Sequence, residues 1–319
     1  MPVSWSSEHT SYRDKGEENM AVSIDDLAKA GQDWSIEVTP TGATKIDSFA
    51  ACLPEGTTVN VTFLPGTDPL DTIAVARRLA DDGMNAVPHI AARSLKDADQ
   101  LDDLVSKMTS QANVSEVLVI GGGVDKPVGV FDSSMQVLQT GILQKYGITR
   151  IGVSGHPEGS PDIPDDALAS AIAWKNDFAA KEGLSLYMET QFCFDAETVL
   201  TWERQIRSEG NRLPIRIGIP GPATIKTLFR FAQISGIGPS MRFVAKQARN
   251  VAKLMTVQAP DQLLAGLAEG MAADEDCLLN HFHYYPFGGF AKTAAYGQAV
   301  ATGQIELTKK GGFDVRQAS

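Results

Sequence analysis

The sequence predicts a (β/α)8 barrel, on three observations. Eight short apolar, β-branched runs recur along the 319 residues, each followed by a stretch with helical periodicity. Strict strand-then-helix alternation implies right-handed crossovers and a parallel sheet, and eight such units most economically close on themselves. No GxGxxG follows the first run, which disfavours the alternative, an open doubly wound sheet.

The first run is WSIEV (Trp34–Val38), with a helix expected over Ile46–Cys52. The second, TVNVTFL (Thr58–Leu64), leads into DPLDTIAVARRLADDG, where Pro69 suits a helix's first turn and Gly83 its stop. AVPHIAA (Ala86–Ala92) precedes an amphipathic segment starting at Ser94, and EVLVIGG (Glu116–Gly122) precedes a helix around Ser133–Lys145. Thr149–Gly155 is followed by Asp165–Glu182, Leu184–Phe192 by Ala196–Ser208, and Pro214–Ile219 by Pro222–Ile234. Two more helical segments separate these from LLNHFHYY (Leu278–Tyr285) and a last helix over Gly289–Ala301. With no linker, repeat or low-complexity tract, one barrel domain is expected over residues 34–305. An N-terminal arm (1–33) precedes it and a C-terminal tail (306–319) follows.

Composition narrows the function. The chain is 43% hydrophobic and 21% charged, with a formal net charge of -11. Such an acidic surface argues against nucleic acid or an anionic membrane as a general partner, while leaving room for a local basic pocket. Cys52, Cys193 and Cys277 lie far apart without CxxC or metal-ligand spacing, as reduced thiols of a cytoplasmic protein would. No apolar run approaches the roughly 20 residues of a membrane span. The N-terminus is polar and mixed in charge, unlike a secretory signal.

Barrels of this kind carry their sites at the C-terminal ends of the strands. The polar residues there are Glu37, Thr62, His89, the Gly121–Asp125 loop, His156, Gln191, His283 and Tyr285. Each has a structural reading: a solvated Glu, a capping His, a glycine-rich loop, an aromatic plug. His281 and His283 share a strand face, but no third ligand is evident and no metal site is expected. Gln191, at the end of what reads as a buried strand, needs a partner for its amide, and the mouth shared with Glu37 and Asp125 would supply one.

Taken together, SIEVTP, VNVTF, VPHIAARS, LVIGGGVDKP, HPEGSPD, TQFCFD and NHFHYY resemble the signposts of methylenetetrahydrofolate reductases, from about Trp34 to about Gly297. The resemblance implies a (β/α)8 barrel and reduction of 5,10-methylenetetrahydrofolate to 5-methyltetrahydrofolate with NAD(P)H, or the reverse oxidation in a demethylating pathway. Glu37 is then the general acid, which asks for a raised carboxyl pKa. Asp125, Gln191 and Phe192 are the implied folate contacts. Thr62, His89, Gly122, Gly123, Asp125, His156 and Lys175 are the implied contacts of a bound FAD. His283 and Tyr285 are expected as pocket walls.

The sequence departs from the family's pattern. The usual Arg-Gly-Asp after the fourth strand is Gly-Gly-Gly-Val-Asp here, and only Lys175 and Lys181 remain of a basic cluster on the helix after the fifth. Phosphates need fixed cationic and N–H donors. A bound FAD with altered contacts is the favoured route, and direct hydride transfer from NAD(P)H is the alternative. A folate-dependent methyltransferase and a non-catalytic folate-binding barrel are the alternative functions. The partner expected is a folate; oligomeric state, including a homo-oligomer, is left open.

Overall fold

The computed structural model describes residues 22–234, 255–309 and 311–316. Eight parallel strands close into a barrel: β1 (Ser35–Val38), β2 (Thr58–Val61), β3 (Asn85–Ala91), β4 (Glu116–Ile120), β5 (Arg150–Gly155), β6 (Ser185–Phe192), β7 (Ile215–Pro220) and β8 (Leu279–Tyr285). They are hydrogen-bonded in sequence order, and β8 pairs with β1.

The strands hold their register because side chains alternate between two different environments. Ile36, Val38, Val59, Val61, Val117, Val119, Ile151, Val153, Ile215, Ile217 and Ile219 belong to one continuous apolar core. They face outward onto the helices. Their neighbours Ser35, Asn60, Glu189, Arg216, His281 and His283 are equally buried but polar. These fill the inside of the barrel, which branched aliphatics usually occupy.

The helices follow the sequence closely where caps are strong. α3 (Pro69–Asp81) opens on Asp68, whose side chain accepts from the Leu70 amide. α4 (Ala98–Ala112) opens on Asp97 rather than Ser94, because Ser94 lies in a short 3-10 turn. α7 (Asp165–Glu182) ends at Gly183, which takes φ +65°, and α8 (Ala196–Ser208) opens on Asp195. α9 (Ile225–Ile234) starts later than expected, since Ala223–Thr224 pairs with Val257–Gln258 as a short ribbon. The last two described helices are α10 (Asp261–Ala273) and α11 (Phe290–Ala301). The other helical segment expected between Ile234 and Leu278 lies outside the described residues.

Two helix expectations change. The only helix between β1 and β2 is the short α2 (Pro40–Ala43), and 46–52 is a chain of turns. Arg78 of α3 takes the carbonyls of Ala43 and Ile46, while Asp82 takes the Phe49 amide at 2.6 Å. Those side-chain bonds replace the backbone ladder. The helix expected over Ser133–Lys145 divides into α5 (Ser134–Gln139) and α6 (Ile142–Lys145), broken at Gly141 with φ +72°.

Both ends of the described chain join the barrel. α1 (Ile24–Ala30) begins in a capping box in which Ser23 and Asp26 bond each other's backbone, and it buries Leu27 and Ala30 in the common core. Residues 1–21 of the arm lie outside the described residues. Within the tail, Ile305–Leu307 pairs antiparallel with Phe313–Val315, and Phe313 stacks on Tyr296 of α11. Leu27→Ala is expected to lower unfolding free energy by about 2–5 kcal/mol, the cost of a core cavity. Urea denaturation checks it; a loss below about 0.5 kcal/mol would mean that α1 is not part of the folding unit.

Candidate functional site

The C-terminal ends of β1 to β3 bring Glu37, Thr62 and His89 together. Thr39 fixes the exit of β1: its side chain accepts the Gly42 amide at 2.9 Å and starts α2. Glu37 keeps an accessible edge in the mouth, yet protein encloses its carboxyl. That desolvation raises its pKa to about 7, against an opposing contact from the Thr62 hydroxyl. The value meets the requirement for a proton donor near neutrality. His89 is buried and turned to Asn60, Nε2 to Nδ2 3.4 Å, and burial pushes its pKa down to about 4.

Beneath Glu37 lies a second carboxyl that sequence reading missed. Glu189 of β6 accepts from Asn60 Nδ2 at 2.5 Å. Arg216 of β7 holds Glu116 at 2.9 Å but stands 3.8 Å from Glu189, and it lies over the Tyr187 ring at 3.7 Å. Glu116 also pairs with Arg150 at 3.0 Å. Burial is the main cause that raises Glu189 to about 8; Arg216 opposes it, and the nearby charges of Glu37 and Glu116 add to it. Apart from strand alternation, which puts residues 187, 189 and 191 on one face, nothing in the sequence marked Glu189.

The rim differs from expectation in three places. Gln191 is exposed, and its Oε1 accepts the Phe192 amide at 3.1 Å, so this amide does not need a buried partner. Phe192 is 2% exposed inside an aromatic cluster with Phe194, Phe231, Tyr285 and Phe287. It supports the wall rather than offering a face to a ligand. Tyr285 fixes that cluster by donating to the Thr190 carbonyl at 3.0 Å. Lys175 is buried, and its Nζ donates to the Ser154 carbonyl at 3.0 Å. Burial lowers its pKa to about 8, and burial with the Lys175 charge lowers His156 to about 4.

The loop after β4 is strapped down. Arg93 donates to the Asp125 carbonyl at 2.6 Å, and the Val128 amide donates to the Arg93 carbonyl at 2.8 Å. A Cβ on Gly129 would sit 1.8 Å from the Lys96 carbonyl oxygen, so only glycine fits there. Gly122 takes φ +97° and packs on Ala91, Gly123 is open, and the Asp125 side chain is exposed. Arg93 thus puts a guanidinium beside this loop. As a flavin site the set fits poorly. His89 and His156 are neutral, and Lys175 must leave Ser154 before it can meet a phosphate.

No protein-family model matches the chain. Among solved structures, an uncharacterized protein from Clostridium thermocellum that binds two copies of 5-methyl-5,6,7,8-tetrahydrofolic acid superposes with a TM-score of 0.56. The alignment has 13% identity and covers 84% of this chain and 94% of that one. A GH18 chitinase from Pseudoalteromonas aurantia gives 0.48 at 14% identity, covering 85% and 99%. A dihydropteroate synthase from Thermus thermophilus gives 0.40 at 11%, covering 83% and 92%. At these identities the likeness is one of fold: this chain is a (β/α)8 barrel. No described helix is long and apolar enough to cross a membrane.

The buried groups set a pH dependence. Glu37 and Glu189 have folded pKa values above the unfolded carboxylate value, so their contribution is lost as pH rises through about 7 and 8. The lowered histidines act oppositely, but only below their unfolded value of about 6.5. Stability is therefore expected to fall between pH 6.5 and 8, by up to about 1.4 kcal/mol per pH unit for each contributing carboxyl, both of them up to about pH 7 and Glu189 alone from there to about 8. Urea midpoints across this range check it; a flat or rising profile would refute the raised carboxyls.

Proposed function

We propose that the chain binds a reduced folate in the barrel mouth and transfers a hydride between NAD(P)H and the folate's one-carbon unit, with Glu37 as general acid. The observation that carries this reading is the Glu37 carboxyl, set at the end of β1 with a pKa of about 7. In the reductive direction Glu37 gives its proton to a ring nitrogen of 5,10-methylenetetrahydrofolate as the C–N bond breaks. The iminium left on the other nitrogen accepts hydride from the dihydronicotinamide. The protein's task is to hold donor and acceptor carbons together and exclude water. The folate bound by the Clostridium thermocellum barrel supports the choice of ligand. The sequence resemblance supports the reaction.

Direct transfer is the preferred route, because His156 is neutral and Lys175 is buried and already bonded to Ser154. A second reading, folate binding without turnover, draws on the same neighbour, whose ligand is the reaction's product. NAD(P)H oxidation by colourless protein with methylenetetrahydrofolate, and without added FAD, is the expected outcome. Activity that depends on FAD would move the hydride onto a flavin. Binding of 5-methyltetrahydrofolate without any turnover would favour the second reading.

Glu37→Gln should keep folate affinity and lower kcat by about 10²–10⁴-fold, the usual contribution of a general acid; steady-state rates with a parallel binding titration decide it. Unchanged kcat would remove Glu37 from the mechanism. Gln191→Ala should weaken folate binding by about 1 kcal/mol, the net worth of a hydrogen bond at an exposed rim. Calorimetric titration reads this, and an unchanged Kd would place Gln191 outside the site.

A further inference from the structure

The proton that leaves Glu37 in the proposed reaction leaves a carboxylate behind, enclosed by protein and with no cation acting on it among the described residues. The titratable groups that sense its charge are Glu189 of β6 and Tyr285 of β8, and both are neutral near pH 7. The β1–β2 ladder puts one donor within reach. Glu37 stands opposite Asn60, and Thr62 lies two residues further along the same inner face. The Thr62 amide donates to the Val38 carbonyl at 3.0 Å, which holds this strand end against β1. Asn60 is engaged below, where its Nδ2 donates to Glu189 at 2.5 Å. The Thr62 hydroxyl is fully enclosed and makes no hydrogen bond among the described residues, yet it acts on the Glu37 carboxyl. A buried hydroxyl is rarely left without a partner.

We propose that Thr62 is the positioning residue of the acid step: its hydroxyl donates to the Glu37 carboxylate as the proton leaves, and holds the spent acid in place until it is reloaded. This rests on Glu37 acting as the acid. A protonated carboxyl is a weak acceptor, so in the resting enzyme the hydroxyl stands idle. As charge develops on Glu37 the bond tightens, because charge-assisted hydrogen bonds are about twice as strong as neutral ones. A donor already aimed at the developing charge costs no reorganisation at the moment of reaction. Contacts of this kind are often long before the reaction and close only in its course. Glu37 gives its own proton to the folate nitrogen, and Thr62 keeps its proton throughout, so the balance is closed. Threonine suits the task, since a β-branched side chain has few χ1 rotamers and keeps its hydroxyl aimed. The role differs from the flavin contact that the sequence resemblance implies for this residue.

The test is ¹³C NMR of the intact protein labelled at the glutamate carboxyl carbon, with Glu37→Gln used to assign the Glu37 signal. In wild type that signal should titrate near pH 7. Thr62→Val keeps the shape and removes the donor, so it should move the midpoint up by about one pH unit. Thr62→Ser should bring it back. An unchanged midpoint in Thr62→Val would overturn the proposal. Should that variant fail to fold, the methyl signal of Thr62 in wild type decides: it should shift at the same midpoint as Glu37, and a methyl that ignores this titration would also overturn the proposal. Kinetics add a second readout. In Thr62→Val, kcat should fall about three- to tenfold while the basic limb of the kcat/KM profile moves to higher pH. A loss of kcat with the limb unmoved would reduce Thr62 to a structural role. Absence of turnover in wild type, with the carboxyl titrations as expected, would sink the reductase reading and leave the pairing of Thr62 with Glu37 standing.

Discussion

The polar interior depends on Arg216, a side chain 3% exposed that is paired with Glu116 and packed over the Tyr187 ring. A guanidinium taken out of water costs several kcal/mol unless its charge is matched at close range. Glu116 provides that match at 2.9 Å and is itself anchored from the outside by Arg150. Glu116 takes Nη2 of Arg216, while Nη1 faces Glu189 at 3.8 Å without forming a hydrogen bond. The second carboxyl is therefore undercompensated, and its favourable state near neutrality is the protonated one. One cation thus pairs closely with Glu116 and leaves Glu189 protonated near neutrality.

That ordering has a consequence for the mouth. Glu37 sits above a neutral rather than an anionic group at moderate pH, so its own proton is held mainly by desolvation. The two carboxyls still sense each other, since the Glu37 charge raises Glu189. The neutral histidines add donors and acceptors to this column without adding charge, which would defeat the raised carboxyls.

The rim is built on a different principle. Phe192, Tyr285, Phe287 and Phe231 pack edge-to-face and stacked beside the mouth, with Phe192 and Phe287 centroids 4.7 Å apart. The strapped β4 loop forms another side, held by backbone bonds to Arg93 and Lys96. A planar ligand placed between them would meet a rigid wall and the exposed side chains of Gln191 and Asp125. Rigid walls reduce the ordering cost of binding.

The sequence by itself determined the barrel, because alternation of outward aliphatics and following amphipathic helices is local and periodic. It also located Glu37, Thr62 and His89, since strand ends are legible and this architecture puts chemistry there. It could not show that Glu189 lies under Glu37 or that Ser35 joins His281 to His283, contacts between residues 248 and 246 positions apart. Nor could it tell that Lys175 folds inward to Ser154, that Phe192 is enclosed, or that Gln191 is exposed. Segment 46–52 missed its helix for the same reason: Arg78 and Asp82, distant in sequence, claim its backbone. Periodicity is written residue by residue along the chain, whereas desolvation and pairing arise only when closure of the barrel brings its strands around one axis.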